Sequence, residues 1–329
     1  MLSLLRSAAV AAALATVAAG RAPAAGVGST VAFEWPAMGT RVRLLVRGGE
    51  EAGAAMRDAA RAAFEAVEAE TSAFRATSAV ARVSAAAGDG EWIPAGEDFG
   101  CALGIALDVA RESGGAFNPL VAPLLERHGF SRRPQAAATG SETAGDLLAL
   151  LDLAKIERRP DACRLAEAGM ALDLGGVAKG VGADRAFAAA RAAATNEFLL
   201  DAGGMLLGLG AWTVGLRDPR APADAPPLDA FPLPAGRAIA TSGNYERFAV
   251  RADGTRVGHL FDPRTGRPAE SDVLQVTVLA PTAALADAWS TALFVLGPEE
   301  GRKALAGRRD VDALWLLAAP SNGIRRVAR

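Results

Sequence analysis

Met56, Ala60, Phe64 and Val67 recur at helical spacing with charged residues between them, so the chain predicts an amphipathic helix over 52–70. Just upstream, Val42 to Val46 is short, apolar and β-branched, a strand entered from a turn at Met38, Gly39 and Thr40. A second helix is expected from a cap at Asp98 to a stop at Gly114 and Gly115, and a third over 142–155. Residues 156–173 read as a strand pair turning at Pro160 and Asp161, and Val177 to Ala194 is helical in composition. Farther on, strands are expected at Glu197 to Leu200, Trp212 to Arg217, Tyr245 to Arg251 and Val273 to Leu279. The Pro-rich run at 221–234 reads as a surface loop, and a helix capped by Thr282 ends at Gly297. Two strand-and-helix halves predict an α+β chain with its site between them, and no 20- to 50-residue repeat is present.

Composition narrows the classes. Lys and Arg number 35 against 37 Asp and Glu, and no long basic run occurs, so the electrostatic footprint of a nucleic-acid binder is missing. Residues 1–25 carry Arg6, an Ala-rich apolar run and small residues around Ala19 and Ala25, the pattern of a secretory signal peptide. The first cysteine is Cys101, so no lipobox cysteine follows that run, and a soluble periplasmic protein is expected. Cys101 and Cys163 are compatible with one disulfide in an oxidising compartment, although Cys101 sits in an apolar helical pattern and reads as a buried small hydrophobe.

The densest chemistry lies at 171–184, A-L-D-L-G-G-V-A-K-G-V-G-A-D, a glycine-rich turn suited to an anionic ligand. Asp173 is costly to bury unpaired and should face a hydrogen-bond donor, from the backbone or a ligand. Lys179, near the helix start, suits a diphosphate as a point charge, or is a solvated helix lysine. Asp184 reads as a structural helix residue. Asp287 and Thr291 stand four apart on a helix, so a carboxylate and a hydroxyl share one face in an apolar setting. Such a sparse oxygen set suits Mg²⁺, which completes its shell with waters and substrate phosphate oxygens. His259 is one of two histidines, suited to deprotonating a hydroxyl or to a structural role. Asp262, before Pro263 and Gly266, reads as a turn residue bonding its own backbone. Thr241, Ser242 and Gly243 are expected in a pocket wall, and Met38 by itself reads as core packing. No nucleophile triad, Walker loop or Cys-His zinc pattern competes.

These two segments, with A-M-G-T at 37–40, L-D-A-G-G at 200–204, T-S-G-N-Y-E-R-F at 241–248 and H-L-F-D-P-R-T-G-R-P at 259–268, resemble the FAD:protein FMN transferase family, also called ApbE, over 31–318. The resemblance implies a T-fold-related α+β architecture around a central flavin site. It implies FAD contacts from Met38, from the loop Ala116, Phe117 and Asn118, from Asp173 and from Lys179. It implies Mg²⁺ ligands at Asp287, Thr291 and the Gly176 carbonyl. The family usually carries Asp where this chain has Asn118, which keeps hydrogen bonding but loses charge. Ser290 falls where some relatives carry another acidic residue.

The function so implied is Mg²⁺-dependent cleavage of FAD, with FMN attached to a Thr or Ser of a partner protein and AMP released. Asp287, Lys179 and His259 would be its catalytic residues. The implied acceptor is a flavoprotein of a membrane-bound redox complex. FAD pyrophosphatase activity and non-catalytic flavin binding are the alternatives.

Overall fold

The computed structural model describes residues 30–130, 144–222, 225–244, 248–250, 256–269 and 271–329. The segment expected to be a signal peptide and Tyr245, Glu246, Arg247 and Arg251 of an expected strand lie outside them.

Eight strands form one antiparallel sheet whose spatial order follows the chain: β1 (Thr30–Ala37), β2 (Thr40–Arg47), β3 (Phe198–Ala202), β4 (Leu206–Leu209), β5 (Ala238–Gly243), β6 (Val273–Ala280), β7 (Asp312–Ala319) and β8 (Gly323–Ala328). Strands β1–β4 make one half and β5–β8 the other. The seam between them, β4 to β5, pairs only Ala238 with Leu207 and Ile239 with Leu206. Neighbouring strands in each half pair over four or more positions.

Four long helices are α1 (Glu50–Thr71), α2 (Glu97–Glu112), α3 (Ala178–Ala193) and α4 (Ala283–Ala304). The first buries Met56, Ala60, Phe64 and Val67 as the spacing predicts. On β7, Trp315 is fully buried and its Nε1–H donates to the Leu293 carbonyl of α4 at 3.0 Å, which marks the helix-covered face of the sheet. Burying a side chain of this size contributes about 3 kcal/mol. The opposite face holds Leu45, Leu199 and Ile239 under the hairpin Thr213–Leu216 and Asp229–Pro232. Thus the Pro-rich run contains a short strand as well as loop.

Several expectations need correction. Asp98 lies in the first turn of α2 rather than at its cap, which is Gly96; its carboxylate instead accepts from Arg185 Nε at 2.7 Å. The third helix does not run on to 155: a helix at Ala144–Ala149 gives way to a 3-10 turn at Leu153–Lys155, and 142–143 lie outside the described residues. α4 breaks at Gly297 (φ 65°) as expected but resumes after it and runs to Ala304. Both cysteines are free: Cys101 is exposed on α2 and Cys163 is buried, so Cys101 is not the buried hydrophobe its pattern suggested. The apolar periodicity of α2 runs along Phe99, Ala102, Leu103 and Ala106, which turns position 101 outward.

Candidate active site

Asp173 opens a turn that is tied down on both sides. Its N–H donates to the Pro119 carbonyl at 2.8 Å, and its Oδ1 accepts from the Gly175 N–H at 2.7 Å. The donor expected for this carboxylate is therefore the protein's own backbone. Leu174 C=O accepts from Val177 and Ala178 at 3.0 and 2.7 Å and starts α3. Lys179, in the first turn, donates to the Gly175 carbonyl at 2.7 Å.

Glycines then set how closely other elements approach α3. A Cβ on Gly180 would lie 2.5 Å from the Ala283 carbonyl oxygen and from Ala284 Cα, so α3 and α4 cross backbone to backbone there. A Cβ on Gly182 would lie 2.8 Å from Met38 Sδ and from the Phe64 ring. Met38 thus packs against the helix that carries Lys179. It sits in the β1–β2 turn with φ 47°, followed by Gly39 at φ 73°, the two positive angles of a type I′ hairpin. A side chain in that region costs about 1 kcal/mol, a strain held in place by its packing. Thr40, next in the turn, abuts Gly203 of the L-D-A-G-G block, so the two blocks meet.

The α3–α4 crossing is fastened by two aspartates. Asp184 accepts from the Ala283 and Ala284 N–H groups at 2.8 and 2.9 Å and caps α4 beside Thr282, whose Oγ1 accepts from Leu285 at 3.2 Å. This is the structural role its position suggested. One turn farther into α4, Asp287 is buried, with its side chain 8% exposed. Its Oδ2 accepts from the Gly180 N–H at 3.2 Å, and Lys179 Nζ stands 3.5 and 3.4 Å from its two oxygens. Burial raises the Asp287 carboxyl above its ordinary value, while Lys179 and the Gly180 N–H oppose that shift. Burial likewise raises Asp184, against the two backbone bonds it accepts.

Thr291 lies one turn beyond Asp287. Among the described residues no hydrogen bond ties its hydroxyl back to its own helix. A Cβ on Gly176 would sit 3.2 Å from Thr291 Oγ1 and 2.9 Å from the Phe117 ring, so the bare glycine leaves a small cradle between them. Asp287, Thr291, Gly176, Lys179 and Phe117 therefore converge where the two halves of the chain meet. The donors on offer are a carboxylate, a hydroxyl and backbone carbonyls. That set of hard oxygens fits Mg²⁺ with ligand oxygens completing its shell. No cluster of three or more His, Cys, Asp or Glu side chains suited to a metal occurs among the described residues.

Of the remaining expected residues, Phe117 packs against the Gly176 turn, and the others are placed by contacts of their own. Ala116, Phe117 and Asn118 are buried. The Asn118 amide is committed to the protein, donating to Leu151 C=O and accepting from Leu120 N–H, both at 2.8 Å. Asn118 also borders a cavity of about 380 Å³ with Gly115, Leu148, Leu151 and Arg264; its lining does not include Lys179, Asp287 or Thr291. Arg264 carries no signal in the sequence beyond its place in a turn. Asp262 does bond its own turn, accepting from the Arg264 backbone at 2.9 Å, and grips the Arg264 guanidinium. Ser290 is fully buried: its hydroxyl donates to the Asp287 carbonyl at 2.9 Å and lies 2.7 Å from Ser242 Oγ on β5. Ser242 is thus tied to the Asp287 turn, while Thr241 pairs with Thr277 at 3.2 Å. His259 is half-buried, and its neighbour Leu260 donates to Asn244 Oδ1 at 3.4 Å, just past β5.

Comparison with known proteins gives one consistent picture. Residues 38–315 match the ApbE family. The FAD:protein FMN transferase of Treponema pallidum (strain Nichols) is 36% identical over 280 residues, 78% of this chain and 75% of that protein. The FAD:protein FMN transferase of Escherichia coli (strain K12) is 27% identical over 89% of this chain and 85% of its own. The crystal structure of the ApbE protein from Thermotoga maritima superposes with a TM-score of 0.78 at 29% identity, covering 91% of this chain and 97% of that one. A flavinyl transferase ApbE from Pseudomonas stutzeri, 24% identical, shares the fold with a TM-score of 0.77 over 93% and 96% of the two chains.

Proposed function

The chain belongs to the ApbE family and acts as an FAD:protein FMN transferase, and we propose that the α3–α4 crossing is its catalytic centre. A Thr or Ser hydroxyl of the acceptor attacks the FMN phosphorus of FAD. The new bond joins that oxygen to FMN, the bond to the AMP phosphate breaks, and AMP leaves. The nucleophile belongs to the acceptor, so this chain needs none of its own.

Asp287, the Thr291 hydroxyl and the Gly176 carbonyl would hold Mg²⁺. When bound, the ion would supply neutralisation of the charge developing on the phosphoryl oxygens. Lys179 meets the diphosphate as a point charge. Asp173 shapes the Gly175–Gly176 turn, Met38 offers a polarisable contact to the flavin ring, and the 116–118 loop positions the adenosine side. Asn118, with its amide spent on Leu151 and Leu120, contributes shape rather than charge. His259 takes the acceptor hydroxyl's proton, a task a histidine suits near neutral pH. The acceptor is a flavoprotein of a membrane-bound redox complex, met in the periplasm after an N-terminal signal peptide is removed.

The observation that carries this reading is Asp287: a buried carboxylate on a helix crossing, facing a lysine and the bare Gly175–Gly176 turn. The test is intact-mass analysis of a candidate acceptor domain after incubation with the protein, FAD and Mg²⁺, with AMP followed in the same tube. The acceptor gains one FMN with AMP released, and Asp287→Ala abolishes the gain while far-UV circular dichroism is unchanged. Full transfer by Asp287→Ala overturns the site. AMP with free FMN and an unmodified acceptor points to pyrophosphatase activity instead.

A further inference from the structure

Lys179 reaches Asp287 in an unusual way. Its Nζ is anchored at 2.7 Å to the Gly175 carbonyl and stands almost equidistant from both Asp287 oxygens, at 3.5 and 3.4 Å. Close charge-assisted N–H···O bonds run at about 2.7–2.9 Å, so the ammonium balances the carboxylate without a tight bond to either oxygen. Asp287 is buried, and its other donor is the neutral Gly180 N–H. Lys179 is 30% exposed, with a flexible four-carbon stem that can carry its charge toward solvent.

We propose that Lys179 and a divalent cation compete for Asp287, so that metal binding displaces the ammonium and delivers it to the diphosphate. The inference rests on Asp287 being the metal carboxylate. The pair is neutral as it stands. Adding a dication with Lys179 still in place sets three positive charges around one carboxylate in a site poor in water, where like charges repel more strongly than in solvent. Moving Lys179 outward relieves that repulsion and frees the ammonium from the Gly175 carbonyl and from Asp287, so that an anionic ligand at this turn gains a counter-charge. Metal and FAD then bind with positive coupling, because each favours the same Lys179 position.

The test is calorimetric titration of metal-stripped protein with Mg²⁺, without FAD, for wild type, Lys179→Gln, Lys179→Arg and Asp287→Asn. Lys179→Gln tightens Mg²⁺ about tenfold, the size of one hydrogen bond to a charged group, whereas Lys179→Arg keeps the competing charge and stays near wild type. Unchanged or weaker binding by Lys179→Gln, or equal tightening by both variants, overturns the competition. Asp287→Asn must lose Mg²⁺ binding; if it binds as wild type does, the metal-site reading itself fails. In wild type, acetic anhydride labelling of Lys179, read by peptide mass, rises on Mg²⁺ saturation. Equal labelling with and without Mg²⁺ also overturns the proposal, and this measurement decides the matter if Lys179→Gln does not fold.

Discussion

Replacing Gly180 by Ala tests the crossing on which the site is built. Alanine is favoured over glycine in a helix interior by about 1 kcal/mol, so propensity alone predicts stabilisation. The structure predicts the opposite, because the new Cβ lands 2.5 Å from Ala283 O, 2.5 Å from Ala284 Cα and 2.6 Å from Ala284 N. All three are backbone atoms, so no side chain can swing away. Overpacking costs about 1–3 kcal/mol, and a backbone clash belongs at the top of that range, leaving a net loss of about 2 kcal/mol. Relieving it to ordinary contact needs α3 and α4 to part by about 0.9 Å, which breaks the 3.2 Å bond from Gly180 N–H to Asp287. A misplacement of about 1 Å at a reacting centre lowers turnover about a hundredfold. Gly100 on α2 is the control: nothing lies within 4 Å of its Cβ, and alanine there stabilises by about 1 kcal/mol. Urea unfolding followed by tryptophan fluorescence, with flavin transfer measured on the same preparations, reads both. If Gly180→Ala is as stable as Gly100→Ala, or transfers flavin at the wild-type rate, the backbone contact does not set the geometry.

Asp184→Ala removes both acceptors at the start of α4 and lowers unfolding free energy by about 2 kcal/mol, while Asp184→Asn, which keeps one acceptor, loses about half as much. A loss under about 0.5 kcal/mol for the alanine variant in urea unfolding would refute the cap. At pH 8 the folded protein takes one thiol label, at Cys101, and a second at Cys163 only after unfolding; peptide mass locates each. Burial holds the Cys163 thiol protonated up to about 11 against 9.0 in the open chain. Its stabilising contribution is therefore complete below pH 9.0 and lost as pH rises through about 11, a slope that Cys163→Ala removes from alkaline unfolding curves.

Helices were more legible in the sequence than strands, and the physical reason is the covering of the sheet. α1 has one wet face, so its period is plain in Met56, Ala60, Phe64 and Val67. β7, with Ala313, Leu314, Trp315, Leu316 and Leu317 all buried, has lost the alternation that marks a half-exposed strand. β1 hides differently: Pro36 and the exposed Ala32 blur a strand whose partner is nonetheless β2 along its full length. The carboxylate and hydroxyl of the proposed site stand out in the sequence because Asp287 and Thr291 are unusual in an apolar helix. The Ser290–Ser242 tie was not, since it joins residues 48 apart through a fold the spacing cannot reveal. Cys101 misled for a related reason: α2 also carries apolar residues, Ile105 and Leu107, off its fully buried stripe.

The position of the site follows from how the two halves are joined. Their sheets share only two paired positions at the β4–β5 seam, too short a ladder to fix one half against the other by itself. The α3–α4 crossing adds to that constraint, beside the packing of α2 on α4 and a core shared by both halves. α3 comes from the first half and α4 from the second, and they meet through Gly180, through Asp184 on the start of α4 and through Asp287 on the start of α3. A buried carboxylate at such a junction is costly unless it is neutralised, so whatever cation sits on Asp287 also strengthens the joint between the halves. The proposed catalytic centre and the mechanical joint between the halves are then the same few residues. For that reason Gly180 matters as much to the proposed chemistry as the aspartate it lets approach.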